Sequence, residues 1–373
     1  MAKLNPDKSR RFSARDLADI EHRFADRQTR AVAEGNAQSR ARRRVVRRIL
    51  CWFAVLLAVA CYISATRSRS LLEAAAPPQT EPIAMLGDTA RLPPGLTEVQ
   101  VWLADFEFLA DGSQLAADTQ IDYARRNLLP VGVANTVGIE MRLIPPGTFV
   151  MGSPETETGR GTDEPAHVRA IQAPFYMGTT EITQGQWKTV MASKSNPSWY
   201  KSYGDAYPVE EVTWDMCVEF CEQLCKLEGL PAGTYRLPNE HEWEYACRAG
   251  TQTRFCCGDS WRTLRLFADF KESGPSGTSA VGRLRPNAWG LHDMHGNVWE
   301  WCGDRFYDYR RPTVIDLQKR SIRGGHWHLT ANDCRAASRY RLPPDSHGNV
   351  CGFRIVRELT DVQNLESLPA SEL

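Results

Sequence analysis

The segment RGGHWHLTANDC (323–334) gathers the side chains best suited to chemistry in this chain. It places His326 and His328 two residues apart and ends on Cys334. Side chains at positions i and i+2 share one face of a strand, so a strand here would bring both imidazoles together. With Cys334 or His347 they could form a site of mixed nitrogen and sulfur ligands suited to copper or zinc. The alternative is an ordinary histidine pair that is hydrogen bonded to its neighbours.

The cysteines offer a second set of possible thiolate ligands. All eleven except Cys51 and Cys61 follow residue 216. Cys217, Cys221 and Cys225 are four residues apart and share one face of a predicted helix. No histidine or further cysteine completes a metal set beside them, and small buried cysteines are common in cores. We therefore predict core packing for these three, and the sequence leaves open whether other cysteines form disulfides.

Three helices are predicted to hold these side chains, each after a residue that can cap a first turn. The capping residues are Thr183, Thr213 and Asn239. Gln186 and Glu242 stand three residues after two of these caps, as a capping box requires. The helices are predicted to end near Met191, Gly229 and Gly250.

The rest of the domain is predicted to consist of short strands and irregular loops. GIEMRLIPPGTFVMGS (138–153) indicates two strands about the turn at Pro145-Pro146-Gly147. Residues 287–354 are rich in Trp, Gly and Asn, and Gly costs about 1 kcal/mol inside a helix, while Gly and Asn are depleted in strands. This composition predicts a turn-rich core held by buried tryptophans. The fold class is therefore α+β with little regular secondary structure.

The N-terminal part of the chain indicates a membrane anchor. Residues 1–48 are strongly basic, and the cluster RARRRVVRR (40–48) directly precedes the apolar run ILCWFAVLLAVACYISA (49–65). That run is near the lower length limit for a spanning helix. The flanking charge predicts a cytoplasmic N-terminus and an extracytoplasmic C-terminal domain at the cell membrane. The basic tail could be solvated, or it could bind anionic lipid or a partner.

Composition shifts suggest the remaining boundaries. A transmembrane helix over 49–66 is followed by a linker over 67–97, because Pro, Ala and Gly occur there without periodicity. Residues 98–135 are predicted to form a small extension or subdomain, with possible strand and helix signals in TEVQVWLADFEF and QIDYARRNLL. The main domain is expected over 136–360 and a C-terminal tail over 361–373. The formal net charge of zero favours no nucleic-acid partner.

Eight short motifs in this order resemble the formylglycine-generating enzyme family, also called sulfatase-modifying factors. They extend from about Gly138 to Arg357, more than half of the chain. The resemblance implies a C-type-lectin-like α+β fold. The motifs are IPPGTFVMGS, APFYMGTTEITQGQW, YPVEEVTW, YRLPNEHEWEYACRAGT, NAWGLHDMHGNVWEWCGD, SIRGGHW, CRAASRYR and GFRIV.

The active enzyme of this family binds copper through two cysteines and uses oxygen to convert a sulfatase cysteine to formylglycine. Thiolates suit such a site because they are soft ligands for Cu(I). Counted from Arg323, the two cysteine positions correspond to Leu329 and Cys334, and an active-site serine corresponds to His326. One ligand is therefore replaced, and Cys334 directly precedes RAASR, which also allows an alignment away from the copper position. The resemblance with these departures argues against copper chemistry.

The family also carries structural calcium in the loop that corresponds here to HDMHGNVWEW. The resemblance implies Asp293, Gly296, Val298 and Glu300 as ligands, with Gly and Val contributing carbonyl oxygens. Two carboxylates and two carbonyls suit a hard cation, whereas the alternative is a capped turn without metal. A second family calcium loop would fall near Asp269 and Phe270.

Three functions remain open from the sequence. The first is a membrane-anchored binding or accessory module that holds a peptide or glycan and makes no formylglycine. The second is an active oxidase with a variant metal site that includes Cys334, His326 and His328. The third is an envelope scaffold whose N-terminal tail signals inside the cell.

Overall fold

A computed structural model describes residues 10–11, 82–83, 92–102 and 109–359. The predicted membrane-spanning segment 49–65 and the C-terminal tail 361–373 lie outside these residues. Within the described ranges, no helix combines the length and apolar character needed to cross a bilayer.

The helices confirm the predicted caps. Thr183 accepts a hydrogen bond from the Gln186 N–H and donates its own N–H to the Gln186 side chain. Thr213 accepts from the Met216 N–H, and Asn239 forms a capping box with Glu242. The helices of the described residues are α1 (Ser113–Asn127), α2 (Gln184–Val190), α3 (Trp214–Leu227), α4 (Glu240–Arg248) and α5 (Trp261–Leu264).

The strands are short except for one hairpin. The first eight are β1 (Arg10–Arg11), β2 (Pro82–Ile83), β3 (Leu96–Glu98), β4 (Val101–Trp102), β5 (Gly132–Asn135), β6 (Glu140–Ile144), β7 (Gly147–Met151) and β8 (His167–Ile171). The others are β9 (Phe175–Gly178), β10 (Tyr235–Arg236), β11 (Trp299–Asp308), β12 (Arg311–Arg323), β13 (Arg339–Leu342), β14 (Ser346–His347), β15 (Cys351–Gly352) and β16 (Val356–Glu358). The two strands predicted about Pro145-Pro146-Gly147 are confirmed as β6 and β7.

Two sheets organise the domain. An antiparallel six-stranded sheet has the order β10-β16-β9-β6-β5-β3, so the late strand β16 lies between earlier ones. A four-stranded sheet has the order β13-β12-β11-β15, in which β15 runs parallel to β11. Separate two-stranded pairs join β7 to β8, β2 to β4 and, in parallel, β1 to β14.

The described residues between 96 and 135 pair with and pack against strands of the main domain. Strand β3 pairs with β5, which continues the six-stranded sheet into β6. Helix α1 starts at Ser113, earlier than the QIDYARRNLL signal indicated. It is held because the Gln120 amide donates to the Leu143 carbonyl at 2.7 Å and the Trp289 indole donates to the Ala116 carbonyl at 3.0 Å. The later part of TEVQVWLADFEF lies outside the described residues.

The core combines buried aromatics with buried cations. Trp243, Trp299 and Trp301 are almost fully buried. The last two lie in the stretch 287–354, for which the composition predicted buried tryptophans. Arg323 is fully buried as well, pairs with Glu244 of α4 and donates to the carbonyls of Ala336, Ala337 and Ser338. Loops without regular structure are therefore fastened by side chains that satisfy their carbonyl groups.

The cysteine face of α3 packs into the core, as predicted. Cys217, Cys221 and Cys225 are buried free thiols, and the Cys225 sulfur accepts the Tyr235 N–H at 3.3 Å. All nine cysteines of the described residues are free and buried.

Candidate functional site

Two glycines directly follow strand β12 and shape the candidate loop. Gly324 and Gly325 have φ angles of 94° and 80°, a region that disfavours other residues. The chain then turns, and the Leu329 N–H donates to the His326 carbonyl at 2.9 Å. His326 and His328 therefore do not share a strand face, because this segment is a turn rather than a strand.

The two histidines consequently occupy different environments. His326 is buried, and burial lowers its pKa to about 3, with a smaller contribution from His328. Its Nδ1 accepts the His328 N–H at 3.3 Å. The His328 ring is exposed and stacks on Trp327 with centroids 5.1 Å apart. His326 is thus neutral at physiological pH, while His328 is accessible to solvent.

Cys334 lies in a closed, close-packed position. Its side chain is fully buried, and a Cβ built on Gly325 would lie 2.6 Å from its sulfur. Burial raises the pKa of this thiol well above its usual value, and the nearby Asp333 and Glu272 raise it further. A thiol that resists ionisation is a poor nucleophile and metal ligand. Leu329, at the other cysteine position, is buried and has no ligating atom in its side chain.

His347 does not complete a metal site with these residues. Its Nδ1 lies 2.7 Å from Oε2 of Glu211, with which it pairs. Across the described residues, no group of three His, Cys, Asp or Glu residues is placed to hold a metal ion.

The loop predicted to bind calcium is buried and tightly turned. Asp293 has a φ of 57°, and its Oδ2 accepts the Gly282 N–H at 2.7 Å. Gly296 has a φ of 90°, and a Cβ there would lie 2.1 Å from the Asp269 carbonyl oxygen. The backbone of this loop therefore depends on glycine. Val298, like Asp293, is buried within it.

Glu300 forms an ion pair with Arg354. Its Oε2 and Oε1 accept hydrogen bonds from Nε and Nη2 of Arg354, both at 2.7 Å, and Oε2 also accepts the Trp243 indole N–H at 2.7 Å. This arrangement is a fully buried bidentate ion pair. The Glu300 carboxylate is therefore oriented by Arg354 and Trp243.

Glu181 is a buried carboxylate that the sequence argument did not identify. Both of its oxygens lack a hydrogen-bond partner, and burial raises its pKa well above the usual value, with Asp293 and Glu300 raising it further. Burial likewise raises the pKa of Asp293 to about 6. Three carboxylates near the single guanidinium of Arg354 leave an excess of negative charge. The oxygen atoms of Asp293 and Glu181 are of the kind that a hard divalent cation prefers.

Asp269, predicted near a second calcium loop, is engaged elsewhere. Its Oδ2 pairs with Arg283 at 2.7 Å, and its carbonyl accepts the Asn297 N–H at 2.8 Å. The neighbouring Phe270 N–H donates to Ser273 Oγ at 2.8 Å, within a 3₁₀ turn (Lys271–Ser273).

An aromatic surface borders the histidine loop. The ring of Tyr200 meets Trp327 edge-on with centroids 6.3 Å apart and lies 5.0 Å from Tyr203. Tyr203 continues to Tyr207 at 5.2 Å, and the Asn349 amide reaches the Tyr200 hydroxyl at 3.4 Å. Tyr200, Tyr203 and Tyr207 are close together in the sequence, and this spacing is a signal for the surface. Such partly exposed aromatics with a polar tip suit recognition of a ligand.

The fold and these loops define an α+β domain whose turn-rich core is held by buried Trp and Arg side chains. A model of the sulfatase-modifying factor enzyme 1-like domain matches residues 131–359. The chain belongs to this family, which confirms the resemblance seen in the motifs.

Individual relatives carry different names. The formylglycine-generating enzyme of Mus musculus is 25% identical over 317 residues, which cover 66% of this chain and 82% of that enzyme. The chaperone protein LppX of Paenibacillus barcinonensis is 29% identical over 230 residues, which cover 49% of this chain and 80% of the relative. The structure of PvdO from Pseudomonas aeruginosa is similar, with a TM-score of 0.54 at 28% identity, over 60% of this chain and 96% of PvdO.

Proposed function

We propose that this protein is a binding or accessory member of the family that lacks copper–cysteine formylglycine chemistry. The observation that carries the proposal is the state of the loop 323–334. Cys334 is a buried thiol with a raised pKa, and Leu329 occupies the second cysteine position. A copper site needs at least two accessible soft ligands, and this loop offers one sealed sulfur.

Two further observations support a binding role. The aromatic surface formed by Tyr200, Tyr203, Tyr207 and Trp327 borders the same loop, where a peptide or glycan can dock. A relative of comparable similarity is named as a chaperone, which is an accessory function. We further propose that residues 49–65 hold the protein in the cell membrane, with the domain outside the cytoplasm.

We also propose calcium as a structural cation of the loop around Asp293. The ion would be held by the carboxylates of Asp293 and Glu181 and by the carbonyls of Gly296 and Val298. The Glu300 carboxylate, which stays paired with Arg354, would contribute negative charge nearby. When bound, calcium would neutralise the buried carboxylates and stabilise the loop. This role is independent of any redox chemistry at Cys334.

The deciding experiment uses the full chain, loaded with Cu(I) and incubated in air with a sulfatase-type CxPxR peptide. Mass spectrometry follows the loss of the cysteine and the appearance of the aldehyde. We expect no conversion and no tightly bound copper. Conversion that disappears in Cys334→Ser would refute the proposal and establish the alternative, an oxidase with a variant site. A His326→Ala/His328→Ala variant then tests whether the imidazoles hold that metal.

A further inference from the structure

A cavity of about 480 Å³ lies apart from the loop 323–334. Its wall comes from three places in the chain. The loop around Trp199 forms one side, and the stretch from Glu211 to Met216 at the start of α3 forms another. His347 of β14 closes the third side. The volume is in the range of small-molecule sites, and none of the wall residues belongs to the family motif around Cys334.

Hydrogen bonds to Glu210 fix the backbone of the loop that carries Trp199. The buried carboxylate of Glu210 accepts the Trp199 N–H at 2.9 Å and the Tyr200 N–H at 2.8 Å. The Trp199 side chain nevertheless leaves 61% of its surface exposed. A large apolar ring on a fixed backbone, open to solvent beside a cavity, is a ready surface for stacking. Pro197 and Met216 extend the apolar lining.

The polar side of the cavity is equally fixed. Glu211 adopts a φ of 60°, a conformation that costs a non-glycine residue about 1 kcal/mol or more. Its N–H donates to the Gly348 carbonyl at 3.1 Å, and its Oε2 pairs with Nδ1 of His347 at 2.7 Å. This pairing fixes the His347 ring, whose Nε2 is buried and has no hydrogen-bond partner among the described residues. Oε1 of Glu211 is the acceptor that a ligand in the cavity would meet.

We propose that this cavity binds a sugar ring, and that Lys201 favours a ring that carries a carboxylate. The apolar face of a pyranose would stack on Trp199, while its hydroxyl groups donate to Glu211. Lys201, also in the wall, supplies a cation for an acidic substituent. A cationic ligand is disfavoured because Lys201 repels it and His347 already pairs with the carboxylate. The proposal goes beyond the function of the loop 323–334, since it does not depend on Cys334.

The test uses the full-length chain in mild detergent with two probes, glucuronic acid and glucose. Saturation-transfer difference NMR reports which ligand protons contact the protein, and a titration of this signal gives Kd. We expect transfer to the ring C–H protons and an affinity for glucuronic acid about fivefold higher than for glucose, as one exposed ion pair would provide. Lys201→Met should remove that preference while glucose binding persists.

Variants locate the ring. Trp199→Ala should weaken both sugars by at least about tenfold, since stacking on an exposed ring is lost, whereas Trp199→Phe should keep part of the affinity. Trp261→Ala is the matched control, because Trp261 is 36% exposed and does not line the cavity. Circular dichroism verifies that each variant is folded.

Two outcomes would overturn the proposal. One is sugar binding that is absent, or equal in wild type and Trp199→Ala. The other is Trp199-dependent binding of pentaglutamate, which has carboxylates but no sugar ring, without binding of glucuronic acid. The second result would assign the cavity to acidic peptides instead.

Discussion

Gly325 and Cys334 are packed so closely that a methyl group on the glycine would lie 2.6 Å from the cysteine sulfur. Gly325 also has a φ of 80°. Conformation and contact therefore both require glycine at this position. The contact seals the only sulfur of the loop 323–334 away from solvent.

Replacing this glycine should be costly. We expect Gly325→Ala to lower the free energy of unfolding by about 2–4 kcal/mol, because strain and overpacking add. Gly138→Ala is the matched control, since Gly138 has a φ of 75° but nothing within 4 Å of the added methyl. It should cost only about 1–2 kcal/mol. Equal losses in urea denaturation of the two variants would show that the contact with Cys334 contributes nothing.

The cysteines provide a second prediction. All nine in the described residues are free and buried, and burial raises the pKa of several, Cys334 and Cys302 among them. We expect slow reaction of these nine thiols in the native protein with a thiol reagent, and release of at least nine thiols after denaturation without reductant. A lower count after denaturation would reveal a disulfide, which mass mapping would then assign.

The buried pair of Arg354 and Glu300 yields a third prediction. Arg354→Met should destabilise the domain by about 3–5 kcal/mol, because it leaves a buried carboxylate without its cation. Adding Glu300→Gln should recover part of that loss. The comparison variant Arg311→Met breaks the exposed pair with Asp308 and should change stability by less than about 1 kcal/mol. Similar losses in both single variants would contradict the special role of the buried pair.

A fourth prediction concerns calcium and pH. The pKa of Asp293 is raised to about 6 mainly by burial, with Asp269 and Glu300 raising it and Gly282 and Arg354 lowering it. A raised carboxyl pKa favours folding below the unfolded pKa, and this contribution is lost as pH rises through about 6. In a calcium chelator, Tm should therefore fall by several degrees between pH 5 and pH 7.5.

Added calcium should restore Tm at pH 7.5 and have little effect at pH 5, where protons compete for the carboxylates. A Glu181→Gln/Asp293→Asn variant should lose the calcium response and part of this pH slope, because burial also raises the pKa of Glu210 to about 7 and of Asp304 to about 6, and these groups contribute the rest. If calcium leaves Tm unchanged at pH 7.5 in the wild type, the loop is a capped turn without metal.

Local signals explain what the sequence could predict. Thr183 and Asn239 cap their helices through bonds that span three residues, so the sequence contains the whole interaction. The turn between β6 and β7 is local in the same way. The α+β class also followed from composition, because Gly and Asn at high frequency restrict regular elements.

The missed features depend on distant residues or on backbone geometry. The histidines at 326 and 328 would share one face only in a strand, but two glycines with positive φ turn the chain, and only His326 is buried. The pairing of Glu211 with His347 joins residues 136 positions apart. No local sequence pattern predicts a contact between residues so far apart. The cavity beside this pair cannot be predicted from the sequence for the same reason.

The position of β16 has a consequence for how the protein is made. This strand, Val356–Glu358, lies between β10 and β9 in the middle of the six-stranded sheet. Just before it, Arg354 donates to the Gly178 carbonyl, 176 positions earlier. A ribosome must therefore release nearly the whole domain before its central sheet can close. Until then β9 has an open edge, which stays available for pairing with another chain while residues 179–355 are made.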